Sequence, residues 1–359
     1  MVLSLNKEQK QNCFSHLKAL LSPMMTEAEE YYIDLGGFKI VKVVSCAPGA
    51  DCMIRHQLAW SLTEPVPSPD ATLILWSQVV DDSFHKQTLG LDVDVDRSGD
   101  NLILALRDGE TLQPFAEVSY ENRSAHLTDG DTSYYCVQSV EPEEWIKEGH
   151  VFVHWLYKMA DTPSTHLVHG ACIGLDGSGM LLCARGQRGK STLAVTAMLR
   201  GFEYVSDDYL LLEKTSQALV ASPIYSIITL SPRMFEALKA DLDKAHYLCD
   251  SARKDKFVFD ISGYDDTLRR RYPVKACFFP EIDPSVSEAV IEPCSPAQKG
   301  RAITHLVHST IIQMQAQGDA STVRKLISML QDLPFYTIRL SPDIFGNVES
   351  LRKFLLSCK

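Results

Sequence analysis

The residues Ala184-Arg185-Gly186-Gln187-Arg188-Gly189-Lys190-Ser191 have the types and spacing of a phosphate-binding loop in relaxed form, with alanine in place of the first glycine. Gly186 and Gly189 are expected to take backbone angles that a side chain would resist. Successive N–H groups can then turn inward around phosphate oxygens. A helix beginning near Lys190 would aim the positive end of its dipole at the same anion. Lys190 brings a point charge to the β and γ oxygens, and the Ser191 hydroxyl is the expected Mg²⁺ ligand. The expected ligand is ATP with Mg²⁺. Its binding set is Arg185, Gly186, Gln187, Arg188, Gly189, Lys190, Ser191 and Thr192.

Asp207 and Asp208 form the second half of the candidate site. They follow a short strand-like run, Tyr204 to Ser206, soon after the expected helix. Ligands of open α/β sheets bind at such strand ends. One carboxylate can hold Mg²⁺ and the other can accept a proton from an attacking hydroxyl. Two adjacent carboxylates repel, which raises one pKa unless a metal relieves the pair. A solvated Asp-Asp turn is the plain alternative, and the loop upstream weighs against it.

Other groups carry weaker signals. His166 and His169 are separated by three on one expected strand, so they face opposite sides and do not suit a shared metal. His305 and His308 can share a helical face, but no third ligand accompanies them. Asp92, Asp94 and Asp96 resemble the start of a calcium loop. The pattern fails, because the sharp-turn position holds Arg97 instead of glycine and the closing acidic position holds Ile103. Lys254, Lys256 and the run Arg269 to Arg271 are basic stretches that can meet phosphate or simply face solvent.

These residues need elements to hold them. Leu167 to Leu175 reads as a strand, Asp176-Gly177-Ser178-Gly179 as a tight turn and Met180 to Cys183 as the returning strand, which together predict a hairpin leading into the loop. A helix is expected from Lys190 to Leu199, with Gly201 as its left-handed C-terminal cap. Further strands are expected at 224–230, 257–261, 274–279 and 335–340. Helices are expected at 231–238, 297–314, 321–330 and 348–355. Before residue 160, a helix over 6–21 capped by Asn6 precedes strands at 38–44, 72–76, 102–106 and 134–140, with a helix over 143–158. The expected architecture is α/β (α+β). A mainly β or α+β domain over 1–160 is followed by an α/β domain over 161–359 that carries the site.

The composition narrows the function classes. The chain has 359 residues, 45% of them hydrophobic and 23% charged, as in an ordinary globular protein. Its net charge of −11 argues against a nucleic-acid surface, which needs clustered Lys and Arg. The 10 cysteines are scattered without a C-x-x-C pair, which points to reduced thiols in the cytoplasm. The polar stretch Asn6 to Gln11 is no signal peptide, and no apolar run spans a membrane. A homo-oligomer is compatible with all of this.

In combination, Val168-His169-Gly170, the hairpin, the loop, Arg200-Gly201 and Val205-Ser206-Asp207-Asp208 resemble the catalytic domain of bacterial HPr kinase/phosphorylase. The resemblance spans about residues 165–210 and continues loosely to the C-terminus. It implies a phosphoenolpyruvate-carboxykinase-like P-loop fold, in which an antiparallel hairpin carries the loop. It also implies that Lys190 binds the transferred phosphate and Ser191 holds Mg²⁺. Asp208 would take the proton from a substrate hydroxyl with help from His169, and Asp207 would support metal or substrate. Gly186-Gln187 stands where the family commonly has Ser-Gly, and Arg188 where it has a small or apolar residue. The acceptor is therefore expected to differ from HPr. The leading expectation is an ATP/Mg²⁺-dependent kinase acting on a serine hydroxyl of a protein or peptide, or on a small molecule. The competing expectation is a nucleotide-binding regulatory module that transfers no phosphate. A carboxykinase-type enzyme ranks third.

Overall fold

A computed structural model describes residues 1–92, 101–109, 111–120, 123–138, 150–184, 186–251, 256–313 and 320–357, the side chain of residue 313 excepted. The chain forms two compact units, each mixed in strand and helix. One holds Met1–Arg55 and Leu62–Trp145, the other His56–Ser61 and Ile146–Lys359. Asp94, Asp96 and Arg97, Arg185, Lys254 and residues 143–149 of the expected helix lie outside the described residues.

The first unit is built on a nine-stranded sheet. Its middle strands include Ser124–Asp129, Thr132–Val137, Ala71–Ser77 and Ile40–Ser45. The helix Lys7–Leu21 buries Phe14, Leu17 and Leu21 with Trp76, Phe84, Leu102 and Leu104 of the same core. Asn6 caps that helix as expected. Its side chain accepts from the Gln9 amide at 2.9 Å while the Gln9 side chain accepts from the Asn6 amide, so two otherwise orphaned donors are satisfied. Periodicity did not announce Thr111–Ser119, whose first residues are exposed and include Pro114. It forms a hairpin with the preceding strand Asn101–Asp108, Asp108 facing Thr111, and pairs on its other side with Ser124–Asp129.

The second unit also contains a nine-stranded sheet. The expected hairpin is present. Ala171–Leu175 and Ser178–Leu182 pair antiparallel, and Leu175 faces Ser178. Asp176 and Gly177 have φ of 49° and 79°, the double left-handed turn that matches the twist of its flanking strands. One expectation needs correction. The run Leu167 to Leu175 is two strands, broken at Gly170: Thr165–His169 pairs with Tyr209–Lys214, whereas Ala171–Leu175 pairs with Ser178–Leu182 and Glu203–Ser206. All of Thr165–His169 and Ala171–Leu175 is buried, so hydrophobic pattern could not reveal the break.

Across the sheet the order is Glu203–Ser206, Ala171–Leu175, Ser178–Leu182, Tyr272–Ile282 and Phe335–Leu340. Ser178–Leu182, Tyr272–Ile282 and Phe335–Leu340 run parallel. Glu203–Ser206 is antiparallel to Ala171–Leu175, which is antiparallel to Ser178–Leu182, so it shares their direction. Four strands therefore end on one edge of the sheet. The helix Lys190–Leu199 packs over one face through Leu193, Ala194, Ala197 and Met198. It ends as Gly201 predicts. Gly201 has φ of 81°, and the Phe202 and Gly201 amides donate to the Ala197 and Met198 carbonyls at 3.0 and 3.1 Å.

A separate three-stranded sheet joins Ile227–Leu230, Lys256–Asp260 and His246–Ser251. The expected strands over 224–230 and 274–279 are shortened to Ile227–Leu230 and lengthened to Tyr272–Ile282. The last helix begins at Ile344 rather than 348. The segment His56–Ser61 packs with this unit: Trp60 joins its core, and the Ser61 hydroxyl donates to the Ile224 carbonyl at 2.7 Å. No helix among the described residues is long and apolar enough to cross a membrane.

Candidate functional site

The loop after Ser178–Leu182 leaves the shared strand edge and enters the helix at Lys190. Cys183 continues the pairing, its amide donating to the Phe278 carbonyl at 2.8 Å. Gly189 precedes the helix with φ of 90°, a conformation that side chains resist. A Cβ there would also lie 2.7 Å from Leu340 Cδ1, too close for any real contact. A Cβ on Gly186 would meet nothing within 4 Å. Gln187, with φ of 63°, takes a left-handed turn. Gly186, Gln187 and Arg188 are exposed, while Ser191 and Thr192 are half-buried in the first helical turn.

Lys190 is only 5% exposed, and its ammonium donates to the Ala184 carbonyl at 3.0 Å. The side chain thus folds back over the loop that it follows. Burial lowers its pKa, and the charges of Asp207 and Asp208 oppose that shift.

Asp207 and Asp208 end the strand Glu203–Ser206 on the same sheet edge as the loop. The chain then reverses tightly. The Tyr209 amide donates to the Asp207 carbonyl at 3.0 Å, and Asp208 between them has φ of 69°. This conformation costs a non-glycine residue roughly 1–3 kcal/mol and concentrates at functional sites. The Gly170 amide donates to the Asp208 carbonyl at 3.0 Å, tying the turn to the break in the neighbouring chain.

The two carboxylates differ in environment. Asp207 is 2% exposed, and neither oxygen has a full hydrogen-bond partner among the described residues. Burial and then the charge of Asp208 push its pKa up to about 7; the nearby Ser191 hydroxyl and Lys190 only partly offset this. Burial also pushes Asp208 upward, but His169, His150, Lys256 and Lys190 outweigh it and leave the carboxyl below its ordinary value. The surroundings thus push the two neighbouring carboxyls apart, Asp207 upward and Asp208 downward, as in sites where paired carboxylates take different tasks.

His169 is buried at the end of Thr165–His169, opposite Tyr209 in register. Its amide donates to the Thr310 hydroxyl at 3.0 Å, and its ring meets that of Tyr209 edge-on at 5.4 Å. Lys256 opens the strand Lys256–Asp260, with its ammonium 3.5 Å from the Thr229 hydroxyl. The structure thus brings together Lys190, Ser191, Asp207, Asp208, His169 and Lys256. Sequence reading missed His150, whose ring stands edge-on to Tyr209 and Tyr225, each at 4.6 Å. A single histidine between unrelated segments carries no spacing signal, so only tertiary packing identifies it.

Other candidates have structural partners instead. Arg200 makes two bonds to Asp241, at 3.1 and 3.3 Å, and stacks over Phe345. Arg269 binds Glu203, Arg270 the Trp60 carbonyl and Arg271 Glu213, so the basic run is committed to internal contacts. His166 is paired with Asp161, and His305 stacks on Phe279. Among the described residues no group of three or more His, Cys, Asp or Glu side chains could hold a metal. A site that uses one or two carboxylates with a hydroxyl and substrate phosphates would still suit Mg²⁺.

No protein-family model matches the chain, and no curated protein matches it. Among solved structures, the HPr(Ser) kinase/phosphatase from Coxiella burnetii is similar over 54% of this chain and 98% of that chain, at 11% sequence identity and a TM-score of 0.30. A likeness this distant assigns no residue a role.

Proposed function

We propose that this protein is an ATP/Mg²⁺-dependent kinase of the P-loop, HPr-kinase-like kind that transfers the γ-phosphate to a hydroxyl. The acceptor is a serine of a protein or peptide, or a small molecule. The observation that carries the reading is the meeting of the buried Lys190 with Asp207 and Asp208 at one strand edge, the Asp207 oxygens lacking full partners among the described residues. A buried carboxyl without full hydrogen-bond partners is costly, and such groups cluster where chemistry uses them.

The residues fit the implied ligands. The orphaned carboxylate of Asp207 and the adjacent Ser191 hydroxyl suit Mg²⁺, with Asp208 as a further ligand. Bound there, the metal would neutralise charge on the transferring phosphate. Lys190, on the first turn of the helix, would leave the Ala184 carbonyl and bind phosphate oxygens, beside the N–H groups of Gly189, Ser191 and Thr192. Asp208 would accept the hydroxyl proton as the oxygen attacks phosphorus, while His169, His150 and Lys256 keep that carboxylate ionised and in place.

The test is transfer of labelled phosphate from ATP to candidate acceptors. Lys190→Ala and Asp208→Asn should each reduce labelling by about a hundredfold or more. Labelling equal to wild type in either variant would falsify the kinase reading. ATP binding by calorimetry without any transfer would favour the regulatory module instead.

A further inference from the structure

The strand edge has two sides, and only one carries the acids. Asp207 and Asp208 lie two strands from the loop in one direction. In the other direction the neighbouring strands end at Ile282 and Leu340, which pair with each other in register. Ile282 is 51% exposed although it is a large apolar side chain. It also lies against the loop: a Cβ on Gly189 would be 3.7 Å from Ile282 Cγ1. Leu340, its partner on the adjacent strand, is buried in the core that includes the helix Lys190–Leu199.

A triphosphate has two ends. If its γ end is delivered to Asp208, its nucleoside end leaves the loop on the opposite side. From this geometry we infer that Ile282, backed by Leu340, is the apolar platform on which the base of a nucleoside triphosphate rests. The inference rests on the kinase reading above.

Asp283, the polar residue next to Ile282 in the chain, is already committed to local partners. The Asp283 amide donates to the Leu340 carbonyl at 2.9 Å, and the Asp283 carboxylate accepts from the Ser285 amide and hydroxyl at 2.9 and 2.6 Å. Its other oxygen faces Arg339 at 3.4 Å. The platform therefore recognises the base by apolar contact, not by hydrogen bonding to its edge. Sites of the first kind discriminate weakly between molecules of similar shape, whereas sites built on hydrogen bonds discriminate strongly. The site should accept ATP and GTP alike.

The experiment is calorimetric titration of the full chain, with Mg²⁺, using ATP, GTP and inorganic tripolyphosphate. Wild type should bind ATP and GTP within about threefold of each other, and both roughly tenfold more tightly than tripolyphosphate, the ratio expected for burying one aliphatic face. Ile282→Ser should lose most of that ratio and keep its affinity for tripolyphosphate. Ile282→Phe should keep or enlarge it. Equal binding of ATP and tripolyphosphate by wild type overturns the platform, as does an undiminished ratio in Ile282→Ser. A preference between ATP and GTP above about tenfold overturns the apolar mode of recognition. If neither the nucleotides nor tripolyphosphate bind, the kinase reading falls as well. If only the ratio fails, that reading stands and the platform alone is lost.

Discussion

Among the described residues of the first unit the buried polar side chains are Ser45, His85, Thr88, Ser119 and Ser133; in the second they include Lys190, Asp207 and Asp260. Among the described residues the first unit buries no Asp, Glu, Lys or Arg. Its acidic groups meet partners nearer the surface: Asp129 takes Lys18 at 3.1 Å, and Asp51 takes Arg55 at 2.5 Å. Asp260 is also partnered, by His56 at 2.7 Å and by the Ser262 amide. Asp207 is the departure from this pattern, because its oxygens lack full partners. Structural burial of charge comes with compensation. Burial without it marks the place where a ligand completes the set.

That contrast can be broken most decisively at Asp208. Replacing it with Asn should reduce phosphate transfer by roughly 10²–10⁴-fold, the usual contribution of a positioned base, while ATP binding persists. Single-turnover transfer together with calorimetry would show the split, and parallel losses of binding and turnover would contradict it.

A core change in the first unit should act only on stability. Leu104, fully buried, is expected to cost about 2–5 kcal/mol when changed to Ala. Denaturant melts would measure this. Nucleotide affinity of the folded fraction should stay at its wild-type value.

Asp207 should show the opposite trade between stability and function. Its pKa rises from 3.8 to about 7 in the folded chain. An acid with a raised folded pKa contributes stability that is complete below its unfolded value and is lost as pH climbs through the folded one. Without nucleotide or metal, Asp207→Asn should therefore gain on wild type as pH rises from about 4 to about 7 and then level off. It should do so while losing Mg²⁺-dependent transfer. A stability difference that stays flat with pH would refute the assignment.

The smallest effects separate the two loop glycines. Gly189→Ala must accept a left-handed φ and displace Leu340, a cost of roughly 1–3 kcal/mol. Gly186→Ala should change stability by less than about 0.5 kcal/mol, because open space surrounds it. Thermal melts of the two variants would settle the comparison.

Much of this site is written in short-range terms. The hairpin turn at Asp176-Gly177, the caps at Asn6 and Gly201 and the helix after Gly189 each depend on a few neighbouring residues, so residue type and spacing announce them. The glycine loop and the Asp207-Asp208 pair belong to the same class. The break at Gly170 does not, because both of its strands are wholly buried and differ only in their distant partners.

Tertiary structure alone decided which residues stand together. The sheet order carries the loop, the acid pair and Ile282 to one edge through strands separated by up to about a hundred residues in the chain. Packing brought His150 and Lys256 to act on Asp208, and it turned Arg269, Arg270 and Arg271 inward to internal partners. The sequence by itself determined the local parts, because their energies depend on backbone angles and adjacent side chains. The protonation of Asp207 and Asp208 was left to the fold, because burial and the sum of surrounding charges exist only once distant segments have packed.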